Sequence, residues 1–162
     1  MSRQIKNIIA ITVFLICISL INVAGQNIEI EIRGMNAFTF ILIIAVLLQV
    51  IFFIPSFLLK TEKYYDLVGS LTYITTISLA YLSVENKTMI DSIIYFYVMV
   101  WALRLGIYLF RRVRNDGKDV RFEKAKKHFF WFLQYWMGQA LWVSLTACAA
   151  IIAILSPEED TL

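Results

Sequence analysis

The residue that most needs a chemical explanation is Arg104, which lies in an apolar run seven residues before Arg111. At 1.5 Å rise per residue that places it ~10 Å inside the edge of a hydrocarbon layer. A guanidinium there costs ~2.5–3.5 kcal/mol unless it snorkels to the surface or finds a counter-charge. Tyr97, Trp101, Arg104, Tyr108 and Arg111 follow one another at intervals of four, three, four and three, so a helix carries them on one face. Such a stripe lines a groove or packs on a neighbour. The expected partner of Arg104 is Asp66, because the third apolar run begins on the side of the layer where the fourth ends. The plainer readings are a snorkelling Arg104 among interface aromatics and a solvated Asp66 favoured by the positive end of its helix.

The segment 111–128 is the second feature. It carries eight Lys and Arg residues against Asp116, Asp119 and Glu123. A patch of that charge binds phosphate, or serves as topogenic charge resting on anionic lipid. Asn115-Asp116-Gly117-Lys118-Asp119 is a turn signal that folds the two basic arms together. Further on, Gln134 and Gln139 sit within an apolar run, where amides most often bond neighbouring helices. There is no Gly-rich dinucleotide fingerprint, no phosphate-binding loop and a single histidine, His128. Soluble-type nicotinamide binding, zinc hydrolysis and a His-assisted serine triad therefore have no support.

The elements that position these residues follow from composition. In 162 residues, 60% are hydrophobic and the mean hydropathy is +0.72, more than one soluble core absorbs. The excess faces lipid. Five runs of about 17 residues or more, 8–24, 38–59, 64–84, 90–110 and 129–155, match a ~30 Å layer. Each is expected to be a helix, since a spanning segment must satisfy its backbone internally. The expected fold is all-α, a single polytopic transmembrane bundle of about five spans with a basic loop at 111–128. The four residues Lys60-Thr61-Glu62-Lys63 make the second and third spans antiparallel neighbours.

Twelve of the fifteen Lys and Arg residues fall at the N-terminal tip, in the Lys60–Lys63 link and in 111–128, which are alternate connections. The N-terminus and the basic loop are thus expected on the cytoplasmic side, and Glu158-Glu159-Asp160 on the other. The first run, followed by Val23-Ala24-Gly25, also has the form of a secretory signal. Asn86-Lys87-Thr88 is a glycosylation sequon so close to the membrane that it is expected to be a poor acceptor. Cys17 and Cys148 read as small buried hydrophobes.

Several polar positions together carry a resemblance. Phe53-Ile54-Pro55-Ser56-Phe57 is followed by Lys60-Thr61-Glu62-Lys63-Tyr64-Tyr65-Asp66-Leu67-Val68-Gly69-Ser70. Then come Trp101-Ala102-Leu103-Arg104-Leu105, Arg111-Arg112, Asp116-Gly117-Lys118-Asp119 and Arg121-Phe122. In order and spacing, over roughly 40–150, the chain resembles the poorly characterised branch of the steroid 5-alpha-reductase superfamily.

The resemblance implies an oxidoreductase that uses NADPH to reduce an activated carbon–carbon double bond in a lipid. By that analogy Arg104, Arg111, Arg112, Asp119 and Arg121 face the cofactor, while Asp66, Tyr97 and Trp101 border the lipid or sterol substrate. Members of the superfamily continue into further helices with an Arg-His-Pro-Asn-Tyr type motif that this sequence lacks. The chain is therefore expected to be a truncated form of such an enzyme, a split subunit that needs a C-terminal half or partner, or an inactive remnant. The other class is a non-enzymatic scaffold or transporter-like subunit whose basic loop binds membrane lipid. Neither involves nucleic acid. The expected location is the endoplasmic reticulum in a eukaryote or the inner membrane in a bacterium.

Overall fold

The computed structural model describes residues 2–116 and 119–156, and these form an all-α bundle. Its helices are α1 (Arg3–Val23), α2 (Ala37–Leu58), α3 (Tyr65–Ser83), α4 (Met89–Asp116) and α5 (Phe129–Leu155). Four of them, all but α3, are long and apolar enough to cross a bilayer by themselves. The protein is an integral membrane protein. The expected Glu158-Glu159-Asp160 tail, and Gly117 with Lys118 of the expected turn, lie outside the described residues.

α3 is the polar exception because it is the hub of the bundle. It packs on α2, α4 and α5, while α1 lies against α5. Its hydroxyls are spent on neighbours. Ser70 Oγ donates to Ala102 O of α4 at 2.5 Å, Gln49 Nε2 of α2 donates to Thr72 Oγ1 at 2.8 Å, and Tyr73 shares a hydrogen bond with Thr146 of α5 at 2.6 Å. In hydrocarbon such bonds, and the small residues that let backbones approach, replace the hydrophobic drive that holds soluble helices together. Gly106 is one such position, since a Cβ there would stand 2.5 Å from Ser70 Oγ.

The α2–α3 corner, one of the shortest links, closes with defined backbone chemistry. Lys60 adopts φ 49°, its N–H donates to Phe57 O, and the Thr61 N–H reaches back to Ser56 O at 2.9 Å. This is the helix-ending motif in which a left-handed residue, usually glycine, sits just past the cap. The exposed Lys60 side chain makes the strained choice. Lys60→Gly is expected to stabilise the protein by about 0.5–1 kcal/mol, the strain relieved less the entropy that glycine adds to the unfolded chain. A thermal melt in detergent checks this.

At the opposite end, a two-stranded hairpin pairs Glu31–Ile32 with Met35–Asn36 through Arg33 and Gly34, both at positive φ. Asn36 then caps α2 by accepting from Thr39 N at 3.0 Å. Thr88, the last residue of the sequon, donates from both its N–H and its hydroxyl to Asp91 Oδ2 at 2.8 Å, fixing the start of α4.

Two features differ from expectation. α4 does not stop at Phe110 but runs on to Asp116, so Arg111, Arg112 and Arg114 are helical rather than part of a loop. Charge ends the lipid-facing stretch but breaks no backbone bond, and Arg and Lys are good helix formers. Cys17 and Cys148 are free thiols, half-buried rather than buried. Both face outward enough to meet lipid.

Candidate functional site

The expected basic segment folds back onto the corner between α2 and α3. Two short 3-10 turns, Val120–Phe122 and Ala125–Lys127, carry it from α4 to α5. Phe122 anchors it, only 1% exposed, with ring centroids 4.8 Å from Tyr65, 4.9 Å from Tyr135 and 5.9 Å from Phe132. Ala125 is buried in the same aromatic cluster as Phe53, Phe132 and Trp136.

Two carboxylates of the corner hold the segment electrostatically. Glu62 accepts from Lys126 Nζ at 2.7 Å and from the Asp119 N–H at 3.3 Å. Asp66, its side chain 11% exposed, accepts from Arg112 Nη2 at 3.1 Å, with Arg121 Nη2 at 4.0 Å. Arg121 Nε in turn donates to both oxygens of Asp119 at 2.9 Å, and its Nη2 also reaches Asp119. That guanidinium holds the Asp119 carboxyl below the usual carboxylate range. The two basic arms do meet, with Asp66 between them.

Of the residues expected to form a site, the structure thus gathers Asp66, Arg112, Asp119 and Arg121 and leaves Tyr97, Trp101, Arg104 and Arg111 elsewhere. The expected pairing of Arg104 with Asp66 is not made. Ser70 meets Ala102 and Gly106, and Tyr73 stacks edge-on to Trp101 at 4.8 Å, so antiparallel register sets Arg104 level with the second turn of α3. Asp66 is then level with about Tyr108, one turn from Arg104 and one turn from Arg112, so depth does not choose between the two arginines. Arg104 points away from α3, because the contacting face is that of Ala102 and Gly106. It lies exposed in a shallow groove of about 240 Å³ with Trp101, Leu105 and Tyr108. Tyr97 is 69% exposed on the same flank, and Arg111 is exposed.

Other participants escaped sequence reading. Glu62 is a lone acid between Lys60 and Lys63, visible in the sequence only as the one negative charge of a four-residue link. Beside the ion pairs, Lys63, Tyr64, Phe110, Val113 and Arg114 line a cleft of about 160 Å³. Lys63 and Arg114 are exposed and make no ion pair among the described residues. A cleft edged by two exposed cations and aromatic rings suits a phosphate group. Among the described residues Gln134 and Gln139 make none of the expected bonds to neighbouring helices; they line a groove, and Gln139 Oε1 is buried without a partner there. The interhelical amide is instead Gln49.

No curated protein and no solved structure matches the chain. A family match does exist, to the family described as protein of unknown function DUF1295, over residues 52–162. The matched stretch takes in the end of α2, the corner with Glu62 and Asp66, the whole of α3 and α4, the basic segment and α5, so on more than half of its length the chain belongs to the DUF1295 family.

Proposed function

We propose that this protein is the lipid-handling part of an NADPH-dependent reductase of the steroid 5-alpha-reductase type, with its basic end turned to the cofactor's phosphates. The observation that carries the reading is the cleft of Lys63, Tyr64, Phe110, Val113 and Arg114 beside an ordered cluster of ion pairs. The resemblance in sequence supplies the cofactor's identity. Bound NADPH would supply a hydride.

At about 160 Å³ the cleft is below the ~300 Å³ at which ligand pockets begin, so the residues here fit the phosphate end of the cofactor alone. Lys63 and Arg114 are the holding cations, since Arg112 and Arg121 are spent on Asp66 and Asp119. The hydride-bearing ring needs groups that this cleft does not supply, which is why a C-terminal half or partner subunit belongs to the proposal. Reduced-cofactor fluorescence titrated with purified protein tests it. Arg114→Ala and Lys63→Ala should each weaken NADPH binding about ten-fold, the ~1.5 kcal/mol of one charge-assisted hydrogen bond. Absence of binding at millimolar NADPH rules the reading out for this chain.

A second reading, a non-enzymatic membrane protein seated on anionic lipid, is favoured by a different observation. Lys60, Arg111, Lys124 and Lys127 are exposed around the same end, next to exposed Phe129 and Phe130. Phosphatidylserine vesicles would then bind wild type and Arg114→Ala alike, with no effect of NADPH.

A further inference from the structure

Arg104 is a charge at membrane depth without a task. It makes no ion pair and no hydrogen bond among the described residues. Arg112 and Arg121, by contrast, are held by Asp66 and Asp119, and Lys126 by Glu62. The Arg104 side chain is exposed on the outer face of α4, in the shallow groove with Trp101, Leu105 and Tyr108. α4 packs along α3 with its other face and touches α5 over a short stretch, so none of the described helices covers this one. Tyr97 at 69%, Ile107 at 53% and Tyr108 at 64% exposed continue it in both directions.

A lipid-facing arginine ordinarily reaches the nearer surface on its long stem. Arg104 is badly placed to do so. Every Cα–Cβ bond of a helix tilts toward the helix N-terminus, and the N-terminus of α4 is at the end of the bundle opposite the basic segment. The tilt therefore carries the side chain away from its nearer surface, which lies ~10 Å off at the level of Arg111, and toward the middle of the layer. Tyr97 shows the contrast. It lies ~10 Å further in, nearer the far surface, and the same tilt carries it toward that surface. Arg111 stands between Arg104 and the basic end on the same face, so lipid phosphates drawn to this face meet Arg111 first.

We propose that the outer face of α4 is the docking surface for a membrane-spanning helix of a partner protein, and that this helix carries an Asp or Glu level with Arg104. A carboxylate accepts two parallel N–H bonds from a guanidinium, and within hydrocarbon the pairing relieves both isolated charges at once. The groove between Trp101 and Tyr108 gives the acid's side chain a place to lie. A second copy of this chain does not meet the requirement. A two-fold axis along the membrane normal would set Arg104 against Arg104 at equal depth. The chain's described acids nearest that level are already held, Asp66 by Arg112 and Glu62 by Lys126, and Asp91 is bonded to Thr88 at the far end of α4. The inference goes beyond the reductase reading and does not rest on it, because the pairing needs no cofactor.

The test uses the full chain in phosphatidylcholine nanodiscs with synthetic leucine–alanine helices long enough to span and ended by lysines. Each carries Glu, Gln or Leu about seven residues inside one end, the depth of Arg104, with a photoreactive leucine beside it. Mass spectrometry should show the Glu helix cross-linked within residues 97–108 about ten-fold more than the Leu helix, the worth of one charge-assisted hydrogen bond, with Gln between. Arg104→Leu should level the three, and Arg104→Glu should prefer a helix with Arg at the same place. Equal cross-linking of wild type by the Glu and Leu helices overturns the proposal, and that comparison stands even if neither variant folds. A Glu preference that survives in Arg104→Leu overturns it too. So does a preference that disappears when phosphatidylglycerol replaces part of the lipid, which would give Arg104 to lipid phosphate. Cross-links between two copies of wild type through residues 97–108, in place of the Glu helix, would give the face to a second copy and overturn it likewise.

Discussion

Phe122→Ala is expected to destabilise the protein by about 3–4 kcal/mol and to detach the segment between α4 and α5. The ring is 1% exposed and is enclosed by Tyr65, Phe132 and Tyr135, so its removal forfeits burial and leaves a cavity that rigid helices cannot close. For a chain of this length that corresponds to a fall in melting temperature of roughly 10 °C. Hydrogen exchange should show the loss concentrated in residues 119–128, while the backbone of α3 and α4 keeps its protection. Phe122→Leu keeps most of the volume and should cost less than about 1.5 kcal/mol. A loss spread evenly over all five helices would mean that Phe122 supports the bundle and not the segment.

Asp66→Asn is the second large effect. The carboxylate stands between Arg112 and Arg121, and its removal leaves two guanidinium groups facing each other with only Asp119 to share. Breaking a fully buried pair costs about 3–5 kcal/mol. Arg112 and Arg121 are 40% and 54% exposed, so solvent screens them and about 2 kcal/mol is expected instead. Trypsin should cut at Lys124 and Lys127 several-fold faster in the variant, because the 3-10 turns lose one of their two carboxylate anchors. The double variant with Arg112→Gln should cost less than the two single changes together, since the repulsion is then gone. If Arg112→Gln alone is neutral and the effects add, Asp66 acts through Arg121.

Both variants bear on function through the same geometry. The phosphate-sized cleft of Lys63 and Arg114 exists because α4 runs past the membrane edge beside the α2–α3 corner. Phe122 and Asp66 hold the returning chain against that corner. On the proposed cofactor reading, loosening either should weaken NADPH binding without touching a residue of the cleft.

Much of the architecture was legible in the chain. The apolar runs 38–59 and 129–155 correspond to helices Ala37–Leu58 and Phe129–Leu155, because the thickness of the layer and the need to satisfy the backbone leave hydropathy one solution. Charge placement showed that the N-terminal tip, the Lys60–Lys63 link and 111–128 belong at one end. The structure has them there, with Arg3 over the Trp131 ring, Glu62 on Lys126 and Asp66 on Arg112. The end of α4 was not legible, since a helix leaving the membrane meets no chemical stop at its first arginine.

Depth, then, is written in the sequence, and so is the gathering of acid and base at one end. Direction around each helix is not. Hydropathy puts Arg104, Arg112 and Asp66 in the same half of the layer, but which arginine faces Asp66 depends on the face that α4 turns to α3. That choice is made by Gly106 and Ala102 fitting against Ser70, a contact between residues more than thirty apart. The same holds for the amides: Gln139 looks like helix glue in one dimension, and only the packing of α1, α3 and α5 around Gly69 and Gly138 leaves it unpaired in a groove. In a bilayer every lipid-facing position is equally content with an apolar side chain, so the rotation of each helix is decided by close packing and a few hydrogen bonds, which exist only in the assembled bundle.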